Sequence, residues 1–127
     1  MGTKPSGHSS YRQAAEAARR VVNGHWEIAV LTALALGPLH TYELVIAVNS
    51  VEETVGRREH NKPLSRQQLA RTLDRLETDG LLIRHDETVT HPSVRYELTE
   101  KGYGLLKALR PLAKWAERYQ NEPGRST

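Results

Sequence analysis

The chain has 127 residues, 38% of them hydrophobic, no phenylalanine and a formal net charge of +3 at pH 7. That length supports one domain with a modest core, and the lean aliphatic content suits a small helical module that gains burial by pairing. The absence of cysteine excludes disulfides, thiol redox sensing, thiolate metal sites and a cysteine nucleophile.

Residues 1–9 mix Gly, Ser, Lys, Pro and His and read as a disordered tail. The single domain is expected over 10–119. Ser10 is placed to cap a helix from Tyr11 to Val22, whose shallow apolar stripe is Ala14, Ala15, Ala18, Val21 and Val22; Asn23-Gly24 ends it. A second helix is expected from His25 to Leu36, stopped by Gly37-Pro38. Trp26, Val30, Leu31 and Leu34 form its core face, and being apolar nearly all round it is the central helix. Thr41 is expected to cap a third helix, with Leu44, Val48, Val51 and Val55 at helical intervals up to Gly56. Arg57 to Pro63 is a charged connector. A compact helix-turn-helix uses about three or four residues there, so this link is either a loop or an extra phosphate contact through Arg57, Arg58 or Lys62.

From Pro63 to Gly80 the chain carries a helix start, a helix stop and two faces. Leu69, Leu73 and Leu76 make a buried stripe. Gln67, Arg71, Asp74 and Thr78 point the other way, flanked by Gln68 and Arg75. Gln and Arg in the first turns suit a DNA major groove: Arg pairs with guanine edges, Gln with adenine edges, and the helix N-terminus attracts phosphate. An ordinary amphipathic surface helix has the same pattern. Residues 57–84 carry seven basic side chains against four acidic ones, the footprint expected of a nucleic-acid contact.

After Gly80, Leu81-Leu82-Ile83 passes into Arg84-His85 and a turn-rich segment from Asp86 to Ser93. Val94 to Leu98 then alternates, with Val94, Tyr96 and Leu98 inward and Arg95 and Glu97 outward. This is a β-hairpin with a polar tip. Helix, glycine, hairpin and helix in succession give a mainly α fold with a small β-hairpin wing, the winged helix-turn-helix. The wing can lay Arg95, His91 and backbone groups against phosphates or a minor groove. A plain structural ribbon, with Arg95 paired to Glu97 or Glu87, is the other reading. Thr99 caps a last helix reaching Tyr119, with Leu105, Leu109, Leu112, Ala116 and Tyr119 as a stripe widened by Leu106, Ala113 and Trp115. Little core is left for that stripe to cover, which points to a second subunit. Pro111 should kink or break this helix, and residues 120–127 read as a polar, disordered tail.

Enzyme chemistry is not expected. Among six histidines none form a close pair at helical ligand spacing; His85, Asp86 and His91 can meet across the hairpin, but no metal or other cofactor is expected. Gly102-Tyr103-Gly104 lies within a helix rather than after a strand, so it is no phosphate loop, and no nucleophile elbow occurs. No apolar run approaches the ~18 residues of a membrane helix and no leader pattern opens the chain, so a cytoplasmic location without a membrane partner is expected. Trp26, Tyr103 and Trp115 either line a pocket for a small-molecule effector or fill the core.

Gly24-His25-Trp26 opens an apolar helix with Leu31 and Leu34, followed by Gly37-Pro38 and Glu43-Leu44. Leu69, Leu73, Leu76-Glu77, Gly80-Leu81-Leu82 and Arg84 come next. Beyond the wing tip stand Pro92, Val94-Arg95-Tyr96-Glu97-Leu98-Thr99, Gly102, Leu105-Leu106, Leu109, Leu112 and Trp115. In this order and spacing, over about residues 20–118, the chain resembles the HxlR-type branch of bacterial winged-helix transcriptional regulators, within the MarR-like group. Gly37 to Leu44 also resembles PadR-type regulators, but the helix from Leu69 to Leu76 lacks their tyrosine-containing pattern, which places them second.

The HxlR resemblance implies a homodimer, joined mainly through its first and last helices, that binds a pseudo-palindromic double-stranded DNA operator; the role expected of it here is that of a repressor. Ser65 to Arg75 match the recognition positions, with His40, Thr41 and Tyr42 facing the DNA backbone. Gln67, Gln68 and Arg71 are then assigned to base edges. Ser65, Arg66, Thr72 and Arg75 are assigned to phosphate, together with Thr90, His91, Ser93 and Arg95 of the wing. The dimer interface is assigned to Ala14, Ala18, Val21, Leu105, Leu109, Leu112, Trp115, Ala116 and Tyr119. Two departures stand out: many members carry a sensing cysteine near the N-terminus, absent here, and the connector from Glu52 to Pro63 exceeds the family's short link. The rival from another class is a winged-helix protein-interaction module without DNA contact, which would lack the steep salt dependence of DNA binding.

Overall fold

A computed structural model describes residues 7–24, 26–55, 62–87 and 93–120, with side chains of 7–9, 51–55, 87, 93 and 120 excepted. Its elements in chain order are α1 (Gly7–Val22), α2 (Glu27–Ala33), β1 (Leu39–His40), α3 (Thr41–Val55), α4 (Arg66–Thr78), β2 (Leu82–Glu87), β3 (Ser93–Leu98) and α5 (Glu100–Gln120). Together they form a mainly helical winged helix-turn-helix carrying one small antiparallel sheet.

The leucines expected at helical spacing converge. Leu31 and Leu34 after the first turn of α2, Leu44 of α3, and Leu69, Leu73 and Leu76 of α4 share one core with Trp26, Val30, Leu81 and Leu98. The wing pairs β2 with β3 in antiparallel register, Leu82 opposite Leu98 and Arg84 opposite Tyr96. Its alternation is as expected: Tyr96 and Leu98 are buried and Val94 packs against the core. A third strand was not expected. Leu39 pairs with Tyr96 and His40 with Arg95, so β1 covers the second edge of β3, the middle strand of the sheet. Two residues are too short to show a period of two, which is why the sequence pattern does not reveal them.

Some of the helix limits and the passage through Pro111 differ from the sequence-based expectation. α1 begins at Gly7, so residues 7–9 are helical rather than tail, and Ser10 lies inside the helix instead of capping it. α2 ends at Ala33, short of Leu36, because the chain tightens there: Ala35 N–H donates to Thr32 O at 3.1 Å and Gly37 N–H to Leu34 O at 3.2 Å. These i→i+3 bonds close a 3₁₀-like exit, and Gly37 at φ 149° turns the chain away. α3 runs to Val55, as the helical spacing up to Gly56 predicts, so residues 52–55 belong to the helix and the long connector counted from Glu52 is shortened by them. α5 runs through Pro111 without a break, although proline leaves the Lys107 carbonyl without its usual i+4 donor.

The ends that bracket the wing follow local chemistry. Leu81 N–H donates to Leu76 O and Gly80 N–H to Glu77 O, both at 2.9 Å, with Gly80 at φ 78°. That is a Schellman stop, which needs a residue free to take positive φ. Thr99 caps α5 as expected, its Oγ1 accepting from Gly102 N–H at 3.0 Å while donating to Gly80 O at 2.7 Å.

Candidate nucleic-acid interface

α4 starts with a complete capping box. Ser65 Oγ accepts from Gln68 N–H and Gln68 Oε1 accepts from Ser65 N–H, each at 3.2 Å. No acidic residue stands in the first turn, so the positive end of the helix dipole is left for an outside anion. Leu64, just before the cap, is buried and held by α3: Asn49 Nδ2 donates to its carbonyl at 3.2 Å and Asn49 Oδ1 accepts from its N–H at 2.8 Å. The N-terminal end of the helix is thereby fixed without using Arg66, Gln67 or Arg71.

Those three side chains are exposed, and no described residue pairs with them. Gln67 and Arg71 stand one turn apart on the same face. They are the members of the expected reading set that the structure leaves available. Ser65 and Gln68 are occupied by the cap, and a bidentate adenine contact needs the amide oxygen that Gln68 has already committed. Thr72 does not face outward: it is 7% exposed and its hydroxyl donates to Gln68 O at 2.9 Å. At ~100° per residue it falls beside Leu73, within the wide buried stripe. Arg75 remains 46% exposed but is already engaged, with Nη1 3.2 Å from Glu27 Oε2 and Nη2 donating to the carbonyls of Arg20 and Asn23.

At the start of α3, Thr41 is the first helical residue rather than the cap. The preceding position is held by Glu43, whose Oε1 accepts from His40 N–H at 2.7 Å and lies 3.0 Å from His40 Nδ1. The His40 backbone bond, then its side chain, holds the Glu43 carboxyl below the usual carboxylate range. Tyr42 is 58% exposed and stacks against the His40 ring at 5.8 Å.

On the wing, Arg95 is half-buried and sits opposite His85 in the register. Glu97 is 2.9 Å from His85 Nε2, and Arg84 pairs with Asp86 at 3.0 Å. Glu97, one of the partners open to Arg95 in the sequence, has His85 beside it. Thr90 and His91 lie outside the described residues, as does the Ser93 side chain.

The residues assigned to a dimer contact fall on two faces. Ala14 and Ala18 are exposed on α1, while Val21 packs against the core. On α5, Leu105 and Leu109 are half-buried, Ala116 is exposed, and Leu112, Trp115 and Tyr119 are 57%, 60% and 42% exposed. Trp26 is buried, whereas Tyr103 and Trp115 are 44% and 60% exposed. Trp26 is a core residue whose neighbouring cleft, about 250 Å³, is bounded by Glu27, Gln68, Arg71, Thr72 and Arg75. No cluster able to hold a metal and no helix long and apolar enough to cross a membrane occurs among the described residues.

Sequence reasoning missed Glu27 and Asn49. Glu27 is 3% exposed, and an acid between Trp26 and Ile28 at the start of an apolar helix was the available signal. Asn49 carried none, since its partner is 15 residues away.

The family model for HxlR-like helix-turn-helix proteins matches residues 21–123. An uncharacterized HTH-type transcriptional regulator of Halalkalibacterium halodurans is 30% identical over 102 residues, 80% of this chain and 79% of that protein. Another, from Methanothermobacter thermautotrophicus, is 29% identical over 113 residues, 89% of this chain and 76% of that protein. The crystal structure of a MarR-family transcriptional regulator from Enterococcus faecalis superposes with a TM-score of 0.74 at 25% identity, covering 99% of this chain and 98% of that one. The reduced form of YodB from Bacillus subtilis gives 0.65 at 28% identity, over 86% and 93%. The chain belongs to the HxlR-like helix-turn-helix family of transcriptional regulators.

Proposed function

We propose that the protein is a repressor that binds a pseudo-palindromic operator as a cytoplasmic homodimer, reading bases with Gln67 and Arg71. The observation that carries this is the capped, acid-free N-terminal end of α4, where Arg66, Gln67 and Arg71 are exposed and unpaired among the described residues. Arg66 at the first helical position is assigned to phosphate. A two-fold dimer sets its reading helices about 34–36 Å apart, one turn of duplex. The exposed apolar faces of α1 and α5 support that dimer.

The trigger is not thiol oxidation. The chain has no cysteine to be oxidised. The relatives are named as transcriptional regulators, and the exposed reading face needs no reaction chemistry.

The test is selection of bound duplexes from a random-sequence pool, followed by affinity measurements on the enriched duplex. Enrichment of a two-fold symmetric sequence is expected. Arg71→Ala should lose ~1–3 kcal/mol on that duplex and relax the preference at one base, whereas Arg66→Ala should weaken all duplexes alike. Equal losses on enriched and scrambled DNA for Arg71→Ala would remove its base-reading role. Affinity insensitive to salt would remove DNA binding altogether.

A further inference from the structure

Near the C-terminal end of α4, Arg75 links three elements. Nη1 lies 3.2 Å from Glu27 Oε2 at the start of α2, and Nη2 donates to Arg20 O at 3.3 Å and Asn23 O at 3.4 Å at the end of α1. The Glu27 side chain is only 4% exposed, and its other oxygen accepts from Trp26 N–H at 3.2 Å. Gly24 backs this carboxylate so closely that a Cβ there would overlap it. A carboxylate withdrawn from water is tolerable only against a partner, so Glu27 dictates where Arg75 sits. Arg75 in turn grips the last carbonyls of α1. Apart from Glu16, residues 10–20 of that helix are exposed, so its end is where α1 is tied to the body.

We infer that Glu27 and Arg75 form a strut that sets the angle of the reading helix against α1, and that both are positioning residues for operator selection. This rests on the DNA-reading proposal above. In a two-fold dimer the distance between reading helices selects the half-site spacing. A strut from the reading helix to a dimer helix therefore acts on specificity without touching DNA.

The test uses the full chain, a duplex enriched by the wild-type protein and a scrambled duplex of equal length. Glu27→Gln and Arg75→Ala should each lower the enriched-to-scrambled affinity ratio by about threefold to thirtyfold, the usual span of such couplings. The double variant should be no worse than either alone, since both remove one interaction. The salt slope should stay unchanged. Gly24→Ala alters neither charge and should shift the ratio the same way. The inference is overturned if Arg75→Ala lowers the salt slope by about one and weakens both duplexes equally, as a lost phosphate contact does. It is also overturned if Glu27→Gln only lowers thermal stability and leaves the ratio intact while the protein is folded. Amide exchange over residues 20–24, measured without DNA, should quicken in both single variants. Unchanged exchange removes the strut even if the wild type enriches no sequence, an outcome that would itself remove the DNA reading.

Discussion

Asn49 holds Leu64 at both of its backbone polar groups, donating from Nδ2 to the carbonyl at 3.2 Å and accepting the N–H on Oδ1 at 2.8 Å. One side chain thus stands in for a backbone ladder between α3 and the residue that precedes the Ser65 cap. Leu64 is 3% exposed, so neither polar group has ready access to water if Asn49 is removed. Asn49→Ala should therefore cost ~1–3 kcal/mol of stability, the penalty of stranding buried backbone groups. Asn49→Asp keeps the acceptor and loses the donor, so denaturant unfolding should place it between Ala and wild type. An Ala variant as stable as the wild type would show that the contact does not tether α4.

Gly102 and Gly104 lie one half-turn apart in α5 but meet different surroundings. A Cβ on Gly102 would press into the carbonyl of Leu81, which is backbone and already bonded to Thr99 N–H at 3.0 Å, while one on Gly104 meets nothing. Gly102→Ala should destabilise by ~1–3 kcal/mol through overpacking, despite better helix propensity. Gly104→Ala should instead gain about 0.5–1 kcal/mol. Thermal melts of the two variants would check this, and shifts of the same sign would contradict it.

Glu43 gives the fold an acid-sensitive joint. Its carboxyl is depressed below the ordinary value of 4.5, first by the bond from His40 N–H and then by the His40 side chain. For an acid with a lowered folded value, the stabilisation is complete above the unfolded value and is lost as pH falls through the folded one. The first turn of α3 should therefore hold its cap at neutral pH and loosen only below about 4.5. Following the Glu43 side-chain resonance through an acid titration should give a midpoint below that of an unfolded peptide. Glu43→Gln should flatten the acid limb of the stability curve, and an unshifted midpoint would refute the cap.

The parts of this molecule visible in its sequence are those governed by neighbours a few residues apart. The leucines at 69, 73 and 76 and Gly80 as the stop are local relations, and the structure realises them. The alternation of Val94, Tyr96 and Leu98 is local too. What stayed hidden depends on which elements meet. Arg75 looks like any exposed helix arginine until α2 brings Glu27 to it, 48 positions away (75 − 27). Thr72 and Gln68 lie at the edge of the polar face, where small differences in helix phase and a cap contact decide between groove and core. β1 exists only because β3 offers it an edge.

Trp115 carries the prediction for assembly. It is 60% exposed, packs with its ring tilted 46° against Tyr119 at 5.5 Å between ring centres, and lies in a stretch from Arg110 to Tyr119 that is exposed throughout. A helix with Leu112, Trp115 and Tyr119 open to water buries too little within its own chain to explain that stripe, and in the proposed dimer a two-fold partner would present the same stripe in return. Large aromatics at the centre of such contacts commonly contribute 2 kcal/mol or more, so Trp115→Ala should raise the dimer dissociation constant by about thirtyfold. Sedimentation equilibrium would read this directly. Lys107→Ala, on an exposed position one turn outside the stretch, should leave the constant unchanged. Because Trp115 adds little to the buried core of its own chain, the variant's monomer should keep its helical content. A Trp115→Ala protein that remains as tightly dimeric as the wild type would move the interface off this face of α5.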